Sequence, residues 1–286
     1  MTAYRTILAC LSDSDSAEAT LGLALMVGQA HQAHVEAIHV RPDPAASVPL
    51  IGEGMSGAMV EEMMAAADAQ ATERASRVRA QFAAVRERCN APLASGPAPE
   101  PQFSVSWREE AGREEEVLAN AGRLTDLVVF AHPDPDRDSP SIMSLNAVLM
   151  ESGRPLLLAP AVLPLSLGRR VAVFWNGSVE ASRAVLAARP MLKKAETVMI
   201  FSAIEGDQAS PAELAGYLAW HGVKADVHSF STAGHAGPAL LKEAGAMGCD
   251  LIVMGAYTHS RLRQLILGGV TRHVLHAAQL PVLLCH

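Results

Sequence analysis

The stretch from Gly255 to Thr271, GAYTHSRLRQLILGGVT, is the segment of this 286-residue sequence best equipped to hold an anion. It follows the apolar run LIVM, opens on a glycine and reaches Gly268-Gly269 where a helical pattern begins. A strand leading into glycine, an arch and a glycine-bearing helix start can turn several backbone N–H groups toward one phosphate. Arg261, Arg263 and His259 would counter the phosphate charge, the arginines with planar donor arrays. The block Gly268, Gly269, Val270 and Thr271 adds backbone donors and one hydroxyl. The competing explanation is a chain reversal between two packed elements.

Other groups carry weaker chemistry. Asp13 and Asp15 could bind a cation, but they read first as an N-cap cluster for the helix that follows. GEGMSG, Gly52 to Gly57, lacks the lysine of GxxxxGK[ST] and reads as a lead-in to a helix. His273 and His276 share a helical face, yet no carboxylate or cysteine motif completes a metal set. His31 and His34 read as a helix end and a turn, and Met63 and Met64 as helical packing material. There is no GxSxG elbow or HExxH pair. Cys10, Cys89, Cys249 and Cys285 form no CxxC pair and read as reduced, packed thiols.

The elements that must position these residues follow from composition and repetition. A formal charge of -7 argues against an electrostatic grip on nucleic acid. With 50% hydrophobic residues there is ample core material, and no apolar run reaches membrane-spanning length. MTAYRTILAC has no secretory leader pattern, so a cytoplasmic protein is expected. TILACLSDSDSAEATLGLAL is echoed by RVAVFWNGSVEASRAVLAA, TDLVVFAH by CDLIVMGAY, and RPLLLAP by LPVLLCH. Two related halves are expected, 1–160 and 161–286, joined through Ala159 to Gly168.

The offset between matched positions falls from 164 (Ile7 to Val171) to 124 (Asp126 to Asp250), so the first half carries forty more residues. They include a helix from about Ala58 to Cys89, with Val60, Met63, Ala67, Ala71, Ala75, Val78, Phe82, Val85 and Cys89 on one face. Each half reads as five strands alternating with four helices. In the second half strands fall near 171–175, 197–203, 224–230, 250–255 and 281–285, and helices near 178–193, 210–221, 236–247 and 268–278. Short Val-, Ile- and Leu-rich strands between helices indicate a doubly wound α/β architecture with mostly parallel sheets. Its ligand crevice lies at the carboxyl ends of strands where the sheet order reverses, here beside Asn176-Gly177-Ser178 and Gly255.

This arrangement resembles the universal stress protein family in a tandem form, over nearly all of the chain and most closely from Gly255 to Leu284. Nucleotide-binding members carry Gly, two residues, Gly, nine residues, Gly, then Ser or Thr. The matching positions here are Gly255, Thr258, Gly268 and Gly269, so threonine replaces one glycine and glycine replaces the hydroxyl residue. The family's ribose-side aspartate is matched by Asn176, which can hydrogen-bond but is a poor magnesium ligand. Ala203 matches a residue whose backbone meets adenine.

The resemblance implies a stress-responsive regulator that binds ATP or AMP through Asn176, Gly177, Ala203 and the Gly255–Thr271 loop, leaving magnesium and an unknown protein partner open. The first-half loop, AHPDPDRDSPSIMSLN, has three aspartates, three prolines and no glycine, so one nucleotide per chain is expected. The fifth strands PLLLA and PVLLC are expected to pair as an internal pseudo-dimer, and the long helix is a candidate surface for a further homodimer. The alternatives are a ligand-independent interaction scaffold with a vestigial loop and slow ATP hydrolysis.

Overall fold

The computed structural model describes residues 3–42, 57–133, 142–203, 210–230, 236–257 and 269–286. The first half runs β1 (Thr6–Cys10), α1 (Ala17–His31), β2 (His34–Arg41), α2 (Gly57–Arg88), β3 (Ser104–Ala111), α3 (Glu114–Gly122), β4 (Leu127–Ala131), α4 (Ile142–Glu151) and β5 (Leu156–Ala159). The second half repeats the order as β6 (Arg170–Phe174), α5 (Val179–Leu192), β7 (Thr197–Ala203), α6 (Pro211–Trp220), β8 (Ala225–Phe230), α7 (Ala236–Ala246), β9 (Leu251–Gly255), α8 (Gly269–Ala277) and β10 (Val282–Cys285).

Every residue of β4, β5 and β10 is buried, because helices cover both faces of the sheet and apolar side chains are required on each. The two faces form two cores, one under α1, α2, α5 and α6 and one under α3, α4, α7 and α8. The strand order is β3-β2-β1-β4-β5-β10-β9-β6-β7-β8, so the two expected five-stranded sheets merge into one. Their join is the antiparallel pairing of β5 with β10, in which Leu156, Leu157 and Leu158 face Leu284, Leu283 and Val282. This pairing satisfies N–H and C=O groups that each half would otherwise leave on an open edge. Across the same junction the Tyr4 hydroxyl donates to the Ala187 carbonyl at 2.8 Å, and Lys194 Nζ donates to the Ala30 carbonyl.

The repeat has a polar counterpart. Asp126 accepts hydrogen bonds from the backbone N–H of Arg5 (2.7 Å) and Thr6 (3.1 Å). Asp250 does the same for Arg169 (3.1 Å) and Arg170 (2.9 Å). The echoed aspartates therefore anchor the start of each half's first strand, at the amino ends of the strands, opposite the crevice.

The forty additional residues lie between β2 and β3, where α2 takes the place that α6 holds between β7 and β8. A 32-residue helix is about 48 Å long at 1.5 Å per residue, whereas the eight-residue strands β2 and β3 span only about 26 Å. Only Ala71, Ala75, Val78, Phe82 and Val85 of the expected apolar face are buried; Met59 and Met63 are 53% and 43% exposed. The expected stripe is thus corrected at Met63, which lies beyond the reach of the sheet. Cys89 is also exposed, just past the end of α2, whereas Cys10, Cys249 and Cys285 are buried. His31 ends α1 as expected; His34 begins β2 and is not a turn residue. No helix among the described residues is long and apolar enough to cross a membrane.

Candidate functional site

In each half the sheet order reverses between the first and fourth strands, β1 and β4 or β6 and β9, which are direct neighbours. Their carboxyl ends open the crevice that this topology offers a ligand. In the second half, Phe174 pairs with Met254, bringing Asn176 and Gly177 beside Gly255. After β6, Trp175 N–H donates to the Phe201 carbonyl at 2.9 Å and the chain then turns. Gly177 adopts φ 71°, a left-handed conformation that glycine takes without steric cost. Asn176 is exposed, and its Oδ1 accepts from Ser178 N–H at 3.2 Å. Ser178 caps α5 by accepting from Ala181 N–H at 3.1 Å. Asn176 therefore has a local turn-forming role whatever else it contacts.

Gly255 has an equally physical explanation. A Cβ built there would lie 2.4 Å from the Ala181 backbone nitrogen and 2.7 Å from the Glu180 carbonyl carbon. The first turn of α5 rides directly on the end of β9, and only glycine leaves room. The first half has Ala131 at this position; there the connection from β1 to α1 covers residues 11–16, longer than 175–178, so helix and strand end need not touch.

Past β9, Ala256 N–H donates to the Cys285 carbonyl at 2.8 Å. Tyr257 then takes φ 62°, uncommon for a bulky side chain. Its hydroxyl donates to Asn146 Oδ1 on α4, tying the start of the loop to the other half of the molecule. Burial pushes the Tyr257 hydroxyl up to about 12, so it is a donor at neutral pH. Sequence patterns gave no sign of Tyr257, because neither its conformation nor its partner is local.

Thr258, His259, Arg261, Arg263 and Gly268 lie outside the described residues. Gly269 is exposed at the first position of α8, and nothing lies within 4 Å of where its Cβ would be. Val270 is half-buried against the core, and Thr271 is buried at 5% exposure. Ala203 ends β7 one strand farther out, half-buried and paired with Phe230.

The first-half crevice is built differently. Asp13 is gripped by Arg77 of α2 through two hydrogen bonds of 2.6 and 3.2 Å, which hold its carboxyl below the usual range. Ser16, not an aspartate, is the N-cap of α1, without a side-chain cap bond. Glu114, the first residue of α3, accepts a 2.5 Å hydrogen bond from the Ser144 hydroxyl in the first turn of α4. Cys10, at the end of β1, is pushed well up by burial and, after that, by the Glu114 charge. Residues 134–141 of the acidic loop lie outside the described residues.

Comparison with known proteins places this geometry. The universal stress protein family model matches residues 170–286. A 50-residue stretch is 42% identical to the universal stress protein Slr1230 of Synechocystis sp., covering 18% of this chain and 17% of that protein. The crystal structure of a universal stress protein from Archaeoglobus fulgidus superposes with a TM-score of 0.66 at 18% identity, over 98% of this chain and 97% of that one. A functionally unknown protein from Pseudomonas aeruginosa PAO1 superposes at 0.58 and 15% identity, over 99% and 93%. Residues 170–286 therefore match the universal stress protein family, and the chain as a whole shares the fold of a solved universal stress protein.

Proposed function

We propose that the second half binds one adenine nucleotide, ATP or AMP, in the crevice at the carboxyl ends of β6 and β9, and that the chain acts as a stress-responsive regulator of a protein partner. The observation that carries this reading is the exposed, sterically open start of α8 at Gly269, near the end of a loop that supplies Arg261 and Arg263. Helix amino ends attract anions through unpaired N–H groups and the helix dipole. Asn176 and Gly177 would face the sugar and Ala203 the base through backbone groups. Asn176 already accepts from Ser178 and carries no charge, so it is poorly suited to magnesium. A division of the chain at 160/161 belongs to the same reading.

A second reading, a ligand-independent scaffold, is favoured by two observations. Gly255 is required by the packing of α5, and Thr271 is buried, so both have sufficient structural roles. Titration of the purified chain with ATP, AMP and adenosine separates the two. One site per chain, with Arg261→Ala or Arg263→Ala weakening ATP about tenfold and adenosine little, supports nucleotide binding. No nucleotide released from gently purified protein and no heat of binding support the scaffold; two equivalent sites contradict the single-site reading.

A further inference from the structure

The two crevices differ in a residue that no sequence signature marks. Glu114 opens α3 and Ser144 lies in the first turn of α4, so their 2.5 Å hydrogen bond places a carboxylate between the amino ends of two helices. Both ends carry positive partial charge and unpaired N–H groups, which favour an anion. Ser144 is only 1% exposed, and its hydroxyl is committed to that carboxylate. Glu114 follows the carboxyl end of β3 after two residues and Ser144 lies on the helix that follows β4, so the bonded pair stands on the side of the sheet where the first-half crevice opens. Second to burial, the Glu114 charge also raises the Cys10 thiol at the end of β1.

At the matched positions among the described residues the second half carries neither group. Aligning the buried leucine of each helix, Leu118 in α3 and Leu240 in α7, sets Glu114 against Ala236. Aligning Leu149 in α4 with Leu275 in α8 sets Ser144 against Val270. A carboxylate and its hydroxyl donor are replaced there by two apolar side chains.

We infer that Glu114 closes the first-half crevice to anionic ligands, its carboxylate acting as a built-in anion at the amino ends of α3 and α4. The inference rests on the single-site reading only in treating the first half as the closed one. A diffusing phosphate would meet a resident negative charge and a hydroxyl already in use, whereas Ala236 and Val270, at the matched positions of the second half, present neither obstacle.

The test contains no nucleotide, so its outcome is independent of whether the second half binds ATP. In the full chain, Glu114→Ala removes the carboxylate and leaves a space that formate can fill. Its thermal midpoint is expected to fall by about 3–6 °C, as for loss of a charge-assisted hydrogen bond in a protein of this size. Formate should then recover about half of that loss or more, relative to chloride at equal ionic strength. The unaltered chain and Ser144→Ala, which both retain Glu114, should respond to the two salts alike. Formate that recovers Glu114→Ala no better than chloride, whether or not the variant is folded at the outset, overturns the inference. So does an equal formate gain in the unaltered chain.

Discussion

Gly255 shows how a glycine can belong to a phosphate-loop pattern and to packing at once. With Ala181 nitrogen 2.4 Å from the missing Cβ, Gly255→Ala forces α5 or β9 to move. Overpacking of this kind costs about 1–3 kcal/mol, readable as a lower denaturant midpoint at unchanged slope. His31 makes a second residue-scale prediction. It is buried edge-on to Tyr4, with ring centroids 5.0 Å apart, and its Nδ1 has no partner among the described residues. Burial, then the charges of Lys194 and Arg5, lower its pKa from 6.5 to about 4. The unfolded chain therefore takes up this proton first, so the His31 contribution is complete above pH 6.5 and is lost as pH falls toward about 4. His31→Gln should flatten the stability profile over that window, measured by denaturation at stepped pH; an unchanged slope would reject the assignment.

At the scale of the element, α2 is two structures in one helix. Its C-terminal part lies on the sheet, where Phe82 packs on Trp107 with centroids 5.2 Å apart and Arg77 holds Asp13. Its N-terminal part extends past the sheet with Met59 and Met63 exposed. Phe82→Ala should cost about 3–5 kcal/mol, as for a buried aromatic, while Met63→Ala should stay within about 0.5 kcal/mol. Equal losses from the two, in parallel urea titrations, would show that the projecting part is covered in solution. The surface salt bridges of α2, such as Arg88 to Glu18, add little to this difference.

For the molecule as a whole, the decisive feature is that the sheet does not stop between the halves. β5 and β10 each complete the other's hydrogen bonding, and Leu157 and Leu283 lie opposite one another in a shared core. Neither half can lose its fifth strand without exposing an apolar edge of the other. The chain should therefore unfold in one transition, with fluorescence from Trp107 in the first half and Trp175 in the second reporting the same midpoint. Leu157→Asp should lower both signals together, because an unpaired charge would be buried in the joint core. Two resolved midpoints would mean that the halves are energetically independent.

The sequence by itself determined the repeat, the element order and the pairing of the fifth strands. The repeat and the element order rest on local periodicity, apolar runs of strand length with helical spacing between them; the pairing of the fifth strands was implied by the family resemblance together with their matching apolar character. The second-half elements accordingly begin and end within a residue or so of their expected bounds, and β7 coincides with 197–203. The apolar face of α2 was legible as a face, but its burial was not, since that depends on where the sheet ends. The candidate site divides in the same way. Glycine spacing and arginines mark the loop from Gly255 to Thr271, but the same glycine satisfies a ligand or a neighbouring helix, and only the 2.4 Å approach of α5 reveals the second. The hydrogen bonds of Tyr257 to Asn146 and of Ser144 to Glu114 join residues 111 and 30 positions apart. No local pattern encodes such contacts; they exist because the fold brings α4 beside Tyr257 and beside α3, which only the tertiary structure decides.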